Sequence, residues 1–197
     1  MSRAGPAAGP RSGFPALGPR PGSPAIPQRS YRDCAGEFAT GVTVVIAEAA
    51  GEPQGMTLNS FASVSLEPLL VMVALGRASR TLSALRVSRR FSISVLGRAQ
   101  REVAIELATP GAPFPRRYAR RTADGFLVID GAIATHQCVV HALRAAGDHE
   151  LVLGRVIGIS HRGGEPLIFH RGRFGGLEPD AFVPPGHPIA LYEGAGW

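Results

Sequence analysis

Two long strand-like runs, "IATHQCVVHALRAAG" and "HELVLGRVIGISH", meet at Gly147-Asp148-His149 and dominate the second half of this 197-residue chain. Shorter runs of the same character precede them: the β-branched "VTVVIA" (42–47), the continuous apolar "LLVMVAL" (69–75) and "FSISVL" (91–96). Their lengths and side chains are those of strands. Helical spacing is confined to "SYRDCAGEFATG", with a Ser/Asp start and Gly41 as its stop, and to "SRTLSALRVSRR" (79–90) and "RAQREVAIELA" (98–108). Many strands without regular β-α alternation predict a mainly β fold, a barrel with a few flanking helices. No GxGxxG follows a strand, which argues against a doubly wound nucleotide fold. "GEPQG" (51–55) reads as a turn and 109–125 as a loop, either covering a site or mobile.

Residues 1–29 hold seven Pro and five Gly and few large apolar groups, the composition of a disordered tail. A single folded domain is expected over 30–178, closing with "PLIFHRGRF", and residues 179–197 form a C-terminal extension. No apolar run reaches the roughly 20 residues of a membrane span, and Pro and Gly interrupt the N-terminus before a secretory core can form. The formal charge of +6 includes +4 from Arg3, Arg11, Arg20 and Arg29, with no acid before residue 30. The rest carries 17 Arg against 15 acids, with no basic stripe interleaved with aromatics, so nucleic acid is not the expected partner. The chain has no Lys, which excludes Schiff-base chemistry on a side-chain amine. Cys34 and Cys138 lie in no metal or redox spacing and fit a reduced, cytoplasmic protein. His136, Cys138 and His141 resemble metal ligands, but on a strand 136 and 138 share a face that 141 does not, so no metal is expected.

Chemistry-bearing residues concentrate in two places. "GMTLNSFASVSLEP" (55–68), read as a strand, puts Met56, Leu58, Ala62, Val64 and Leu66 on one face with Ser60. The other face carries Thr57, Asn59, Phe61, Ser63 and Ser65 and no charge. Neutral donors and acceptors on a rigid strand suit a flat heterocycle; they equally suit a face toward solvent or another subunit. "GRASRT" (76–81) places Arg77, Ser79, Arg80 and Thr81 where a strand passes into a helix. Its hydroxyls either hold a phosphate at the helix N-terminus or simply cap the helix. Together, a ring-binding strand and a phosphate cradle describe a nucleotide-like cofactor such as flavin.

In "GMTLNSFASVSLEP", "LGRASRT", "FSISVLG", "GDHELVLGRV" and "PLIFHRGRF", taken in order from Phe38 to Leu177, the chain resembles the short-chain flavin reductases. These are the reductase partners of two-component flavin-dependent monooxygenases. The resemblance implies a homodimeric, Greek-key split β-barrel of the FMN-binding type. It also implies FMN or FAD as flavin, NADH or NADPH as reductant, and a monooxygenase as recipient of the reduced flavin. By the same resemblance Thr57, Asn59, Ser60, Phe61, Ser63 and Ser65 contact the flavin ring and ribityl chain. Ser79 and Thr81 hold its phosphate with Arg77 or Arg80, Asp148 and His149 lie on the nicotinamide side, and Phe174 sits near the cofactor. The chain departs from the family at Ser94, where relatives often carry Asn, at Leu107, where Phe is common, and at Glu67-Pro68-Leu69, where Asp with a double Pro is usual.

Hydride transfer from nicotinamide C4 to flavin N5 needs no general base, so positioning is the protein's task. His149 either orients the nicotinamide half or serves only as a turn residue. A flavin-binding barrel acting in electron transfer or on its own substrate is the alternative function. Arg116, Arg117, Arg120 and Arg121 read as an exposed basic loop rather than a 2′-phosphate site.

Overall fold

The computed structural model describes residues 25–178, so the tail expected over 1–29 falls largely outside the described residues, as does the 179–197 extension. Helix α1 (Gln28–Ala35) leads into β1 (Thr40–Gly41), β2 (Thr43–Ala49), β3 (Glu52–Leu58), β4 (Ala62–Leu66) and β5 (Leu69–Gly76). Helix α2 (Arg80–Ser88) and β6 (Arg90–Val95) follow, then α3 (Arg101–Ala108) and the short strands β7 (Ala119–Arg121) and β8 (Leu127–Ile129). The long pair β9 (Ala134–Ala146) and β10 (His149–His161) comes next, and β11 (Ile168–His170) and β12 (Arg173–Gly175) complete the described chain.

One antiparallel sheet runs in the order β3-β2-β6-β9-β10-β5-β4. Its two edge strands, β3 and β4, are consecutive in sequence and separated only by Asn59, Ser60 and Phe61. From Leu58 to Ala62 the backbone reaches at most about 14 Å. Seven flat strands would put those edges roughly 29 Å apart. The sheet must therefore curl until its edges meet, and the result is a barrel. Ser60 finishes the corner: its hydroxyl donates to the Ala74 carbonyl (3.2 Å) and accepts from the Ala74 amide (3.0 Å), extending the β4–β5 ladder by a side chain.

Strand β2 is apolar on both faces because both are covered. Val45 and Ala47 point into the barrel with Val73, Leu75, Phe91 and Val152, where α2 adds Leu82 and Leu85. Val44 and Ile46 point the other way, against Leu96, Ile129, Leu167 and Val103 and Leu107 of α3. Small sheets β1-β11-β12 and β7-β8 cover that outer core, and β8 is tied to the barrel by the buried hydroxyls of Ser92 and Ser94, which meet the Leu127 carbonyl and the Ile129 amide. Among the described residues no helix is long and apolar enough to cross a membrane.

Several local expectations shift. The first helix ends at Ala35, and Gly41 lies instead in β1, paired with Ile168. The turn before β3 is only Ala50-Gly51, both at positive φ (51° and 78°), as a two-residue hairpin demands. Pro53 is tolerated within β3 because β3 is an edge strand. Residues 109–125 are not all loop, since 119–121 pair with 127–129. The even-numbered face of 55–68 does not stay in the core. Met56 and Leu58 do, but beyond the corner Phe61 turns inward, while Val64 and Leu66 are exposed. The bulge between Ser63 and Ser65 and the corner itself reset the alternation.

Gly154 of β10 is required by this packing. A Cβ there would stand 2.5 Å from Phe91 Cζ and 3.1 Å from Cys138 Cβ, and Phe91 is itself buried in the barrel core. Gly154→Ala is expected to cost about 1–3 kcal/mol by overpacking, read as a lower urea midpoint at unchanged m-value. An unshifted midpoint would contradict the packing.

Candidate functional site

The outer face of β3, the first turn of α2, the C-terminal end of α3 and the 109–114 loop enclose a cleft of about 350 Å³. That is within the size range of small-molecule sites. Each wall has a local cause. Thr57 faces outward on β3, and its hydroxyl donates to the Ala104 carbonyl of α3 at 2.8 Å, fixing helix against strand. Gly55 lets the Phe114 ring lie directly on the strand backbone, where a Cβ would come within 2.8 Å of Phe114 Cε2. The loop is held at a second point by the Arg80 guanidinium, which donates to the Ala112 carbonyl at 2.6 Å.

The first turn of α2 supplies the cleft's donors. Ser79 is the N-cap, and its hydroxyl accepts from the Leu82 amide at 3.2 Å. The capping role is thus realised, yet a hydroxyl that accepts still has its own proton to donate. The Arg80 and Thr81 amides have no acceptor among the described residues, as first-turn amides characteristically do not. Thr81 is 3% exposed, lines the cleft, and its hydroxyl has no hydrogen-bond partner among the described residues. Two free amides, two hydroxyl protons, a guanidinium and the positive end of a helix form a donor set that fits a phosphate monoester. The acid lining the cleft, Glu106, is ion-paired with Arg117 outside it. The remaining lining is neutral, with Gln54 and Thr57 as polar groups beside Met56, Leu107 and Phe114.

Four of the residues singled out in the sequence, Thr57, Ser79, Arg80 and Thr81, therefore share one cleft. Three more flank its helix end. His149 pairs across the sheet with Gly76, and the Arg77 amide donates to the Asp148 carbonyl at 3.1 Å. His149 Nδ1 lies 2.7 Å from Asp148 Oδ1, and the hydrogen bond from that imidazole holds the Asp148 carboxyl below the usual carboxylate range. Asn59 is exposed at the barrel corner beside Ser60. Phe61, Ser63, Ser65 and Phe174 are not part of the cleft lining. Phe61 points into the barrel, 5.4 Å from the His136 ring, and Ser63 and Ser65 pair with Val71 and Leu70 along β4. Phe174 packs against Phe169 with the two rings tilted by 58° and lines a separate depression with His170, Arg171 and Arg173.

The lining residues not singled out as contacts are Gln54, Leu107, the 109–114 wall and Gly55, which opens the 55–68 stretch but shows its use only where Phe114 lies on it. Ser94 is fully buried in the outer core and serves the barrel rather than the cleft. No group of three metal-binding side chains occurs among the described residues. His141 is exposed on the face opposite Cys138, and burial pushes the Cys138 thiol up to about 12.

Comparison with known proteins agrees with this fold. The family described as "Flavin reductase like domain" matches residues 35–178. FMN reductase (NADH) SmoA of Agrobacterium fabrum is 40% identical over 147 residues, 75% of this chain and 84% of that protein. HsaB, the reductase subunit of a flavin-dependent monooxygenase in Mycobacterium tuberculosis, is 34% identical over 166 residues, 81% of this chain and 87% of that protein. The solved structure of the Streptomyces globisporus NADH:FAD oxidoreductase SgcE6 in complex with NAD and FAD fragments superposes with a TM-score of 0.74 at 36% identity, covering 79% of this chain and 95% of that one.

Proposed function

The chain belongs to the flavin reductase-like family, and we propose that it reduces FMN or FAD with NADH and hands the reduced flavin to a separate flavin-dependent monooxygenase. The observation that carries this reading is the cleft in which the neutral face of β3 meets unpaired donors at the start of α2. When bound, the flavin ring supplies the hydride acceptor for nicotinamide C4. The protein's own part is to hold and orient. The Arg80 and Thr81 amides, the Ser79 and Thr81 hydroxyls and the Arg80 side chain take the phosphate. Gln54 and Thr57 offer neutral hydrogen bonds along the wall, with Asn59 extending the row at the corner. A charged residue in that row would be left poorly solvated once a ring covered it.

Asp148 and His149 serve the nicotinamide side. The carboxylate fixes the imidazole through Nδ1–H, which leaves Nε2 free to accept a hydrogen bond from the carboxamide. NADH rather than NADPH fits the four arginines of 116–121, each already engaged by an acid: Arg116 with Glu52, Arg117 with Glu106, Arg120 with Asp130 and Arg121 with Glu48. None is left over to meet a 2′-phosphate.

Mixing the protein with NADH and FMN or FAD should consume NADH catalytically. In His149→Ala the KM for NADH should rise roughly fivefold, the worth of one hydrogen bond, with flavin affinity unchanged. A yellow protein that never consumes NADH would favour the electron-transfer alternative, and unaltered NADH kinetics in the variant would remove His149 from the assignment.

The working unit we infer is a homodimer. Val64 and Leu66 on β4, Leu69 on β5, and Ile157 and Ile159 on β10 are exposed large apolar side chains on neighbouring strands of one sheet. Sedimentation should give about twice the chain mass of 20.7 kDa, and Leu66→Glu should shift the equilibrium to monomer. A monomeric wild-type protein would rule this out.

A further inference from the structure

Arg80 touches two things that flavin binding has to bring together. Its backbone amide and its neighbour Thr81 form the donor end of the cleft, and its guanidinium reaches across to the Ala112 carbonyl of the 109–114 wall at 2.6 Å. Resting on the flavin-reductase reading above, we propose that Arg80 is the specificity-determining residue for phosphorylated flavins, a strap that makes phosphate seating and wall closure depend on each other.

A guanidinium has five N–H donors in a rigid fork, and the Ala112 carbonyl occupies one. Thr81, a residue 3% exposed whose hydroxyl has no partner among the described residues, lines the same cleft as Arg80. An anion there draws the guanidinium to the helix N-terminus, and the Ala112 bond draws the wall with it. The wall is built to respond. It is anchored at its far end by Phe114 on Gly55, and Gly111 at φ 78° gives it a bend. Thr109, whose hydroxyl donates to the Ile105 carbonyl, anchors the near end. Between those anchors the Arg80 strap is the side-chain tether among the described residues. Riboflavin carries the same ring without the phosphate and gives Arg80 nothing to pull on. Lysine at this position would keep the charge but has a single nitrogen, which cannot hold a carbonyl and a phosphate in the fork geometry.

The test combines flavin fluorescence titration with hydrogen exchange measured on a peptide covering 109–114, using FMN and riboflavin as probes. The wild type should prefer FMN by roughly tenfold or more, as a charge-assisted bond implies. FMN should slow exchange in 109–114 and riboflavin should not. Arg80→Lys should keep more of the FMN preference than Arg80→Ala, in which only the helix amides and hydroxyls remain to hold the phosphate, and both variants should lose the slowed exchange; Arg80 is exposed, so either variant retains its core. FMN-dependent protection that survives in Arg80→Ala, or equal protection by riboflavin in the wild type, would overturn the strap while leaving flavin binding intact. A wild type that binds neither flavin would overturn the reading beneath it as well.

Discussion

Everything in this structure depends on three residues having to join the two edges of a seven-stranded sheet. Asn59, Ser60 and Phe61 cannot span a flat sheet, so the sheet closes, and Ser60 replaces the missing rung of the ladder with its hydroxyl on Ala74. Closure decides which face of β3 is inside. Met56 and Leu58 enter the barrel, and Thr57 is left outward, where α3 and the 109–114 wall lean on it. On the other side of the corner, β5 runs from Leu69 to Gly76 and delivers the start of α2 to the same rim. The cleft is therefore a by-product of closing the barrel: one half comes from the edge strand β3, the other from the helix that follows β5, next to the opposite edge.

That origin explains the cleft's electrostatics. β3 contributes backbone and short neutral side chains because a strand packed on α3 has little room for long charged ones. The start of α2 contributes unpaired amides because every helix leaves them. The acid in the cleft lining, Glu106, is ion-paired with Arg117, and Asp148 is not part of the lining. A phosphate group consequently meets an excess of donors with no competing anion.

Much of this was legible in the sequence, for physical reasons that differ by element. The strand runs were readable because β-branched content and length survive any tertiary context, and Val44 to Ala47 is apolar on both faces because two cores cover it. Ser79, Arg80 and Thr81 were readable because a helix start has its own chemistry. Thr57, which lines the cleft, stood out as part of a polar face that lacks charge. The alternation beyond residue 58 was not legible. A period-2 reading assumes one continuous strand, while the chain turns a corner at 59–61 and bulges after Ser63, so Phe61 points inward and Val64 and Leu66 outward. Nor was the wall at 109–114. Its Pro and Gly residues announce a loop, but its place opposite α2 follows from Phe114 resting on Gly55, a contact 59 residues apart that no local pattern encodes.

The central claim is that the flavin phosphate seats on the first turn of α2, with the ring lying along β3. A crystal structure of the protein with FMN tests it most directly. The phosphate oxygens should lie within hydrogen-bond distance of the Arg80 and Thr81 amides and the Thr81 hydroxyl, with the ring between β3 and the 109–114 wall. An FMN phosphate bound elsewhere, for instance in the depression beside Arg173 and Phe174, would contradict it.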